Sequence, residues 1–388
     1  MTEKFDTIVI GLGAMGAATL YQLAKRGRKV LGIDRHDPPH SFGSTHGETR
    51  ITRLACGEGP VYTQFARRSH DIWRDLERES GKELFVQNGL LVISGPGPRA
   101  AAHGNAGFLE STIEIAEQNN VAHETLTDAQ IRARFPAFNI ADGDRAYFEP
   151  EAGLVRPEEC VRIQLDLARN NGAVIRTNEA VTRFDPRAGY VEVTTDRGVY
   201  RADNVVIAAG PWMPQLLPQR SSLFTIRRQL LAWFRVEKDA ALYTPDRFPV
   251  WYWQIPRDRA IYGFPWYGTA APAMKVSAEQ YETTTTASTV NRTASPEEID
   301  NLYDTYVADF FPSVSRDCVK SAICLYTCID DARFIVDRLP DSPKVIVASP
   351  CSGHGFKHSA AIGEAIAELA TGGTPSRVSL DEFRFRQE

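Results

Sequence analysis

Phe5-Asp6-Thr7-Ile8-Val9-Ile10-Gly11-Leu12-Gly13-Ala14-Met15-Gly16 decides the fold of this 388-residue chain. Phe5 to Ile10 reads as a short buried strand, and a G-x-G-x-x-G fingerprint follows it without a gap. Ala17 to Arg26 reads as a helix that Gly27 stops in the C′ position. Lys29 to Ile33 is a second strand, closed by Asp34, eighteen residues beyond Gly16. Strand, helix and strand in about 30 residues make a βαβ unit, hence a parallel pair with a right-handed crossover. Gly11 permits the tight turn, Gly13 lets backbone approach a pyrophosphate, and Gly16 lets the helix pack close to the sheet. The helix N-terminus offers free N–H groups and a positive dipole end. Asp34 is placed to accept hydrogen bonds from ribose hydroxyls, which argues against a 2′-phosphorylated cofactor. The fingerprint predicts a dinucleotide site without separating NAD from FAD.

Outward from this unit the pattern changes twice. Residues 60–80 read as a helix with Val61, Phe65, Ile72, Trp73 and Leu76 near one stripe. Two short strands are expected around Asn88-Gly89, a loop over 97–107, and a helix from Phe108 to Asn119. Thr127 to Gln130 and Ser295 to Glu298 are capping boxes, and Pro157 opens a helix running to about Asn170. Residues 173–207 and 223–276 are strand-like, and 283–294 reads as a polar loop. Lys344 to Ala348 is a strand, followed by a glycine turn at 352–355 and a helix from Ser359 to Ala370. A chain that starts α/β, turns β-rich and returns to strand-turn-helix implies interleaved domains. A Rossmann-like α/β domain is expected from 1–84, 146–214 and 318–388. An α+β substrate domain built on a β-sheet is expected from 85–145 and 215–317.

Composition is that of a globular protein, 43% apolar and 24% charged. The net charge of -5 carries no basic excess for nucleic acid or an anionic membrane. No apolar run approaches the roughly 18 residues that span a bilayer. Six cysteines in this length give no disulfide framework, so a reducing cytoplasm is expected. Cys324-x3-Cys328 and His354-x3-His358 have zinc-like local spacing, but a glycine turn and a strand are poor carriers for such a site, and no metal is expected.

Three further segments bear on the cofactor. They are Pro38 to Arg53 with Gly57-Glu58-Gly59, then Ser321 to Thr327, then Ser352-Gly353-His354-Gly355-Phe356-Lys357. Together with the fingerprint, over nearly the whole chain and in the same order, this set resembles the monomeric sarcosine oxidase and N-methyltryptophan oxidase family. The resemblance implies FAD, held by Gly11, Gly13, Gly16, Asp34, Ser44, Thr45, Gly353 and Gly355, and covalently joined through a thioether at Cys324. A buried cysteine alone would read as an inert small hydrophobe. The resemblance also implies that Arg53 and Lys357 clamp a substrate carboxylate, as a guanidinium and an ammonium are suited to do. It places Arg50 and His46 beside the ring as two cations, Tyr262 in the substrate pocket, and Lys275 as the oxygen-activating lysine. The implied reaction oxidises an amino acid or N-methyl amino acid, with molecular oxygen reduced to hydrogen peroxide, in a monomer. A dehydrogenase with another electron acceptor and a non-catalytic nucleotide-binding module are the alternatives.

The sequence departs from the family where the substrate is expected. Glu279 stands in place of a histidine, Trp251-Tyr252-Trp253 is bulkier, and Cys56 replaces a tyrosine. All three changes are expected in or near the pocket. Together they put sarcosine itself in doubt, and Glu279 suits a larger or cationic substrate side chain.

Overall fold

A computed structural model describes residues 3–101 and 105–386; residues 102–104 of the expected 97–107 loop lie outside the described residues. Strand β1 (Lys4–Ile10) pairs in parallel with β2 (Val30–Ile33) on one side and with Val199–Ile207 on the other. Val174–Arg176 extends the sheet beyond β2, again in parallel. Val199–Ile207 is shared lengthwise. Its second half pairs in parallel with Ser342–Ser349, and its first half closes a hairpin with Tyr190–Thr195. Ile8, Val9, Val30, Leu31, Val205 and Val206 are fully buried, as strands covered on both faces must be. Helix α1 (Ala14–Lys25) packs on this sheet with Pro157–Asn170 and Ser359–Ala370. It begins three residues earlier than expected from sequence. The third fingerprint glycine sits inside its first turn, where helix and sheet touch.

The second sheet is larger. Val314–Cys328, Thr225–Val236, Ala273–Ala278, Ile261–Phe264, Val250–Gln254, Leu90–Ser94, Arg145–Glu149 and Glu124–Thr127 lie side by side in that order. Thr284–Thr285 adds a short ninth strand, so the expected polar loop contains one ladder contact. The helix Pro296–Tyr306 covers one end, started by the Ser295 capping box; the Thr127 box is formed as well.

Sheet pairing crosses two of the expected domain boundaries. Arg145–Glu149 spans the 145/146 boundary, and Val314–Cys328 spans 317/318. The latter pairs with Thr225–Val236 from Val314↔Val236 to Cys328↔Thr225. Strand limits are set by the ladder partner, which is distant in sequence, so neither boundary was legible. Cys324 is therefore delivered by the large sheet, opposite Gln229. A small third sheet of Arg50–Thr52, Gly153–Val155 and Phe85–Val86 ties the arm carrying Arg50 and Arg53 to the rest. Among the described residues no helix is long and apolar enough to cross a membrane.

Candidate active site

A cavity of about 480 Å³ runs between the two sheets, from Asp34 at one end to Lys357 at the other. At the Asp34 end the glycine loop is built as the fingerprint requires. Gly11 has φ +87°, and a Cβ there would stand 2.6 Å from the Ala208 carbonyl oxygen. A Cβ on Gly16 would stand 1.7 Å from the Gly11 carbonyl oxygen. Gly13 differs: its Cβ position meets only Thr45 Oγ1, at 3.4 Å, and faces the cavity. Gly13 caps α1 without any side-chain hydrogen bond, and Ala14 N donates to Thr45 Oγ1 at 3.3 Å. Asp34 is buried and accepts from Leu12 N at 2.7 Å and His36 N at 2.8 Å, locking the loop to the end of β2.

Midway, Cys324 Sγ lies 3.4 Å from Arg50 Nη2 and 3.5 Å from the Ser44 carbonyl. Arg50 also donates to the carbonyls of Thr49 and Ser44, both at 2.8 Å, so its fork is fixed by backbone. Lys275 and His46 do not line the cavity; they support the loop that does. Lys275 Nζ donates to the Gly47 carbonyl at 2.7 Å, the Thr49 carbonyl at 2.9 Å and Thr49 Oγ1 at 3.1 Å. Burial, then the neighbouring Arg50, pushes the Lys275 ammonium well below the ordinary lysine range. Burial, with Arg50 and Lys275 nearby, lowers His46 to about 4. The expectation of two cations at Arg50 and His46 is corrected: the imidazole is neutral at pH 7, because a third buried cation among these neighbours is too costly. Glu158, unremarked in the sequence, fastens the same loop by accepting from Gly47 N at 2.7 Å and Glu48 N at 3.1 Å.

At the far end Arg53 and Lys357 converge, although their segments are remote in the chain. Sequence reasoning missed what joins them. Arg53 Nη2 donates to both oxygens of Glu58, at 2.8 and 2.7 Å, and Lys357 Nζ donates to Glu58 Oε1 at 3.1 Å. Lys357 also reaches the His354 carbonyl at 2.9 Å. The buried pair of cations thus shares one carboxylate. Glu58 belongs to Gly57-Glu58-Gly59, and its charge close after Arg53 was the available signal. Glu149, fully buried, holds the segment after Arg53 through Leu54 N at 2.6 Å and Ala55 N at 3.2 Å.

The remaining wall is tyrosine and glutamate. Tyr262 and Tyr326 hydroxyls meet at 3.1 Å, and Tyr252 donates to Glu279 Oε2 at 2.7 Å. Of the aromatic triplet, only Tyr252 lines the cavity. Strand alternation turns Trp251 and Trp253 to the opposite face, against Phe138, Phe310 and Phe311. Cys56 is also moved out of the pocket: it is fully buried behind Arg53, and burial pushes its thiol up to about 12. Gly353 and Gly355 line the cavity beside Cys351. Among the described residues no group of three or more His, Cys, Asp or Glu has a metal-binding arrangement.

These residues fit a flavin dinucleotide. The open position beside Gly13 and the uncapped α1 suit a pyrophosphate. Arg53 Nη1, Thr327 Oγ1 and Ser349 Oγ are buried in residues of the cavity wall and have no hydrogen-bond partner among the described residues, as groups awaiting a polar ligand would. The family of FAD dependent oxidoreductases designated DAO matches residues 6–369. Monomeric sarcosine oxidase of Streptomyces avermitilis is 36% identical over 375 residues, covering 96% of this chain and 95% of that one. N-methyl-L-tryptophan oxidase of Yersinia pestis is 34% identical over 386 residues, covering 98% of this chain and 100% of that one. Among solved structures, the open form of NikD, an amino acid oxidase essential for nikkomycin biosynthesis, has a TM-score of 0.84 at 25% identity, over 99% of this chain and 98% of that one. Glycine oxidase from Geobacillus kaustophilus shares the fold, with a TM-score of 0.78 at 18% identity over 100% of both chains. The match takes in the glycine loop, the cavity wall and the segments that carry Arg53 and Lys357 alike, so the chain belongs to the DAO family of FAD-dependent oxidoreductases.

Proposed function

We propose that this chain oxidises an α-amino or N-methyl-α-amino acid, with Arg53 and Lys357 as the carboxylate clamp. The observation that carries this reading is their meeting on one buried wall of the cavity that also holds Arg50 and Cys324. Glu58 holds the two cations side by side and oriented. A guanidinium and an ammonium so fixed would orient the carbon next to nitrogen within a narrow range of angles. Tyr262 and Tyr326, joined through their hydroxyls at 3.1 Å, line the same cavity. Bound FAD supplies a two-electron acceptor and passes the electrons to oxygen, with release of hydrogen peroxide.

Cys324 is the proposed point of attachment. Its sulfur, with Arg50 Nη2 at 3.4 Å and the Ser44 carbonyl at 3.5 Å, would hold the flavin ring through a thioether, a bond whose formation would pass two hydrogens and two electrons to oxygen. Lys275 and Arg50 put positive charge behind the same edge, which favours oxygen reduction by stabilising developing negative charge in a dry site. The six cysteines are all free among the described residues, which suits a reducing cytoplasm. Relatives named monomeric sarcosine oxidase support a monomer.

Acid precipitation tests the tether: the pellet stays yellow if Cys324 holds the flavin, and a colourless pellet refutes it. Peroxide release and anaerobic bleaching across a panel of amino acids and their N-methyl forms test the reaction. If none bleaches the flavin, amino acid oxidation is wrong. For Lys275→Met, unchanged reoxidation by air would remove the lysine's role in oxygen reduction.

A further inference from the structure

We propose that Glu158 is the counter-ion of Lys275, joined to it through the peptide group between Gly47 and Glu48, and that it is the positioning residue that keeps Lys275 charged beneath the loop leading to Arg50. This rests on the reading of Lys275 as the lysine that promotes oxygen reduction, and adds the residue that governs its charge.

Residues 47–49 lie between the two side chains. On one side Lys275 Nζ donates to the carbonyls of Gly47 at 2.7 Å and Thr49 at 2.9 Å. On the other side Glu158 Oε1 accepts from Gly47 N at 2.7 Å and Glu48 N at 3.1 Å. The Gly47 carbonyl and the Glu48 N–H belong to one peptide group. That group has the ammonium at its oxygen and the carboxylate at its hydrogen. Each charge polarises the amide in the sense that strengthens its bond to the other. Two successive residues with positive φ, Gly47 at +95° and Glu48 at +69°, give the loop this turn. A left-handed conformation is unfavourable for glutamate, and it persists where contacts on both sides fix the backbone.

Charge balance points the same way. The groups that act on Lys275 are Arg50, Glu158, Cys324, Glu48 and His46, with Lys320 beyond the Trp233 ring. Arg50 opposes a second positive charge, and His46, lowered to about 4 chiefly by burial, is neutral at pH 7. Glu48 is taken up by Lys320 in a bridge whose side chains are 24% and 43% exposed. Glu158 has no such ion pair among the described residues, and its carboxylate faces the loop. Burial raises its carboxyl, but the Glu48 N–H, its own N–H, Arg50 and the Gly47 N–H outweigh that and hold it below the ordinary carboxylate range. Burial and Arg50 push the Lys275 ammonium down, and Glu158 is foremost among the groups that push it back up. A buried ammonium without a partner of this kind gives up its proton more readily.

Flavin-loaded enzyme labelled with 13Cε-lysine reads the charge of Lys275 by NMR, the resonance being assigned by its loss in Lys275→Met. Glu158→Gln keeps an oxygen for the two N–H groups and removes the charge. The Lys275 midpoint should fall by about one pH unit or more in this variant and return most of the way in Glu158→Asp. An anion favours the charged form of lysine, so without it the proton leaves at lower pH. The descending limb of reoxidation by air, followed against pH by stopped flow, should move by the same amount in the same direction. Glu48→Gln, at a solvent-screened pair, should shift the midpoint far less. A midpoint unmoved in Glu158→Gln, or moved equally by Glu48→Gln, overturns the pairing. Should Glu158→Gln not fold, wild type decides. The Glu48 amide proton lies across the peptide from Lys275 and should shift with the Lys275 midpoint; an amide that ignores that titration overturns the pairing. A midpoint that falls in Glu158→Gln, while reoxidation neither follows it nor slows in Lys275→Met, upholds the pairing and overturns the oxygen role of Lys275.

Discussion

The two ends of the cavity are made in opposite ways. The Asp34 end comes from one contiguous stretch, in which Gly11, Gly13, Gly16 and Asp34 all lie within a single βαβ unit. The Lys357 end is assembled from Arg53, Glu58, Lys357, the Tyr252 and Tyr262 strands and Glu279, which no local rule brings together. Backbone geometry governs the first, where the constraint is steric. Charge balance governs the second, where each buried ion depends on partners from elsewhere in the chain.

Substitutions at the Asp34 end give the largest expected effect. Gly16→Ala places a methyl group against the Gly11 backbone oxygen, and neither helix nor sheet can yield. Little or no soluble, flavin-loaded protein is expected, measured by flavin content and yield. Gly13→Ala sharpens the point. Its φ of -71° suits alanine and its Cβ faces open cavity, so apoprotein stability should stay within about 0.5 kcal/mol of wild type while flavin loading drops. Normal loading in both variants would break the steric account.

At the Lys357 end the expected loss is of activity instead. Arg53→Met or Lys357→Met should lower kcat/KM for the best amino acid by about a hundredfold, or roughly 2–3 kcal/mol for a lost charge-assisted bond, with flavin content retained. An amine lacking a carboxylate should be affected far less. Equal losses for both substrates would show that the pair has only a structural role.

An effect of intermediate size joins the two ends. His46, near the flavin loop, and His354, near Lys357, are each pushed down to about 4, first by burial. An unfolded histidine takes its proton near pH 6.5, so between that pH and about 4 the unfolded chain binds more protons. Stability must then fall as pH falls through this window, by something on the order of several kcal/mol for the two together. Urea unfolding of apoprotein at pH 7.5 and pH 5 measures it, and a midpoint unchanged at pH 5 would contradict the burial argument. Smallest is Thr127→Ala, which removes a formed capping box remote from both ends. It should cost about 1 kcal/mol of stability and leave kcat/KM unaltered, providing a baseline for unrelated damage.

Legibility followed the same division. The βαβ unit, both capping boxes and the helix Ser359–Ala370 could be read because each depends on neighbours within a few residues. The strand Val314–Cys328 could not be bounded, because its ladder partner lies some ninety residues earlier. Trp251 and Trp253 were expected beside the substrate, since alternation tells that Tyr252 faces the other way but not which face meets the cavity. His46 reads as a cation until Arg50 and Lys275 are seen beside it.

The sequence by itself determined the dinucleotide loop, the order of the α/β and β-rich parts, and the set of residues that resemble a flavin amine oxidase. Steric limits on glycine and the periodicity of apolar residues act over short distances, so they are written locally. Only the tertiary structure decided that Glu58 binds Arg53 and Lys357 together, that Lys275 sits behind the Gly47–Thr49 loop, and that Glu279 shares a wall with Tyr252 and Tyr262. Those outcomes depend on which charges are buried against one another, and burial is a property of the packed chain.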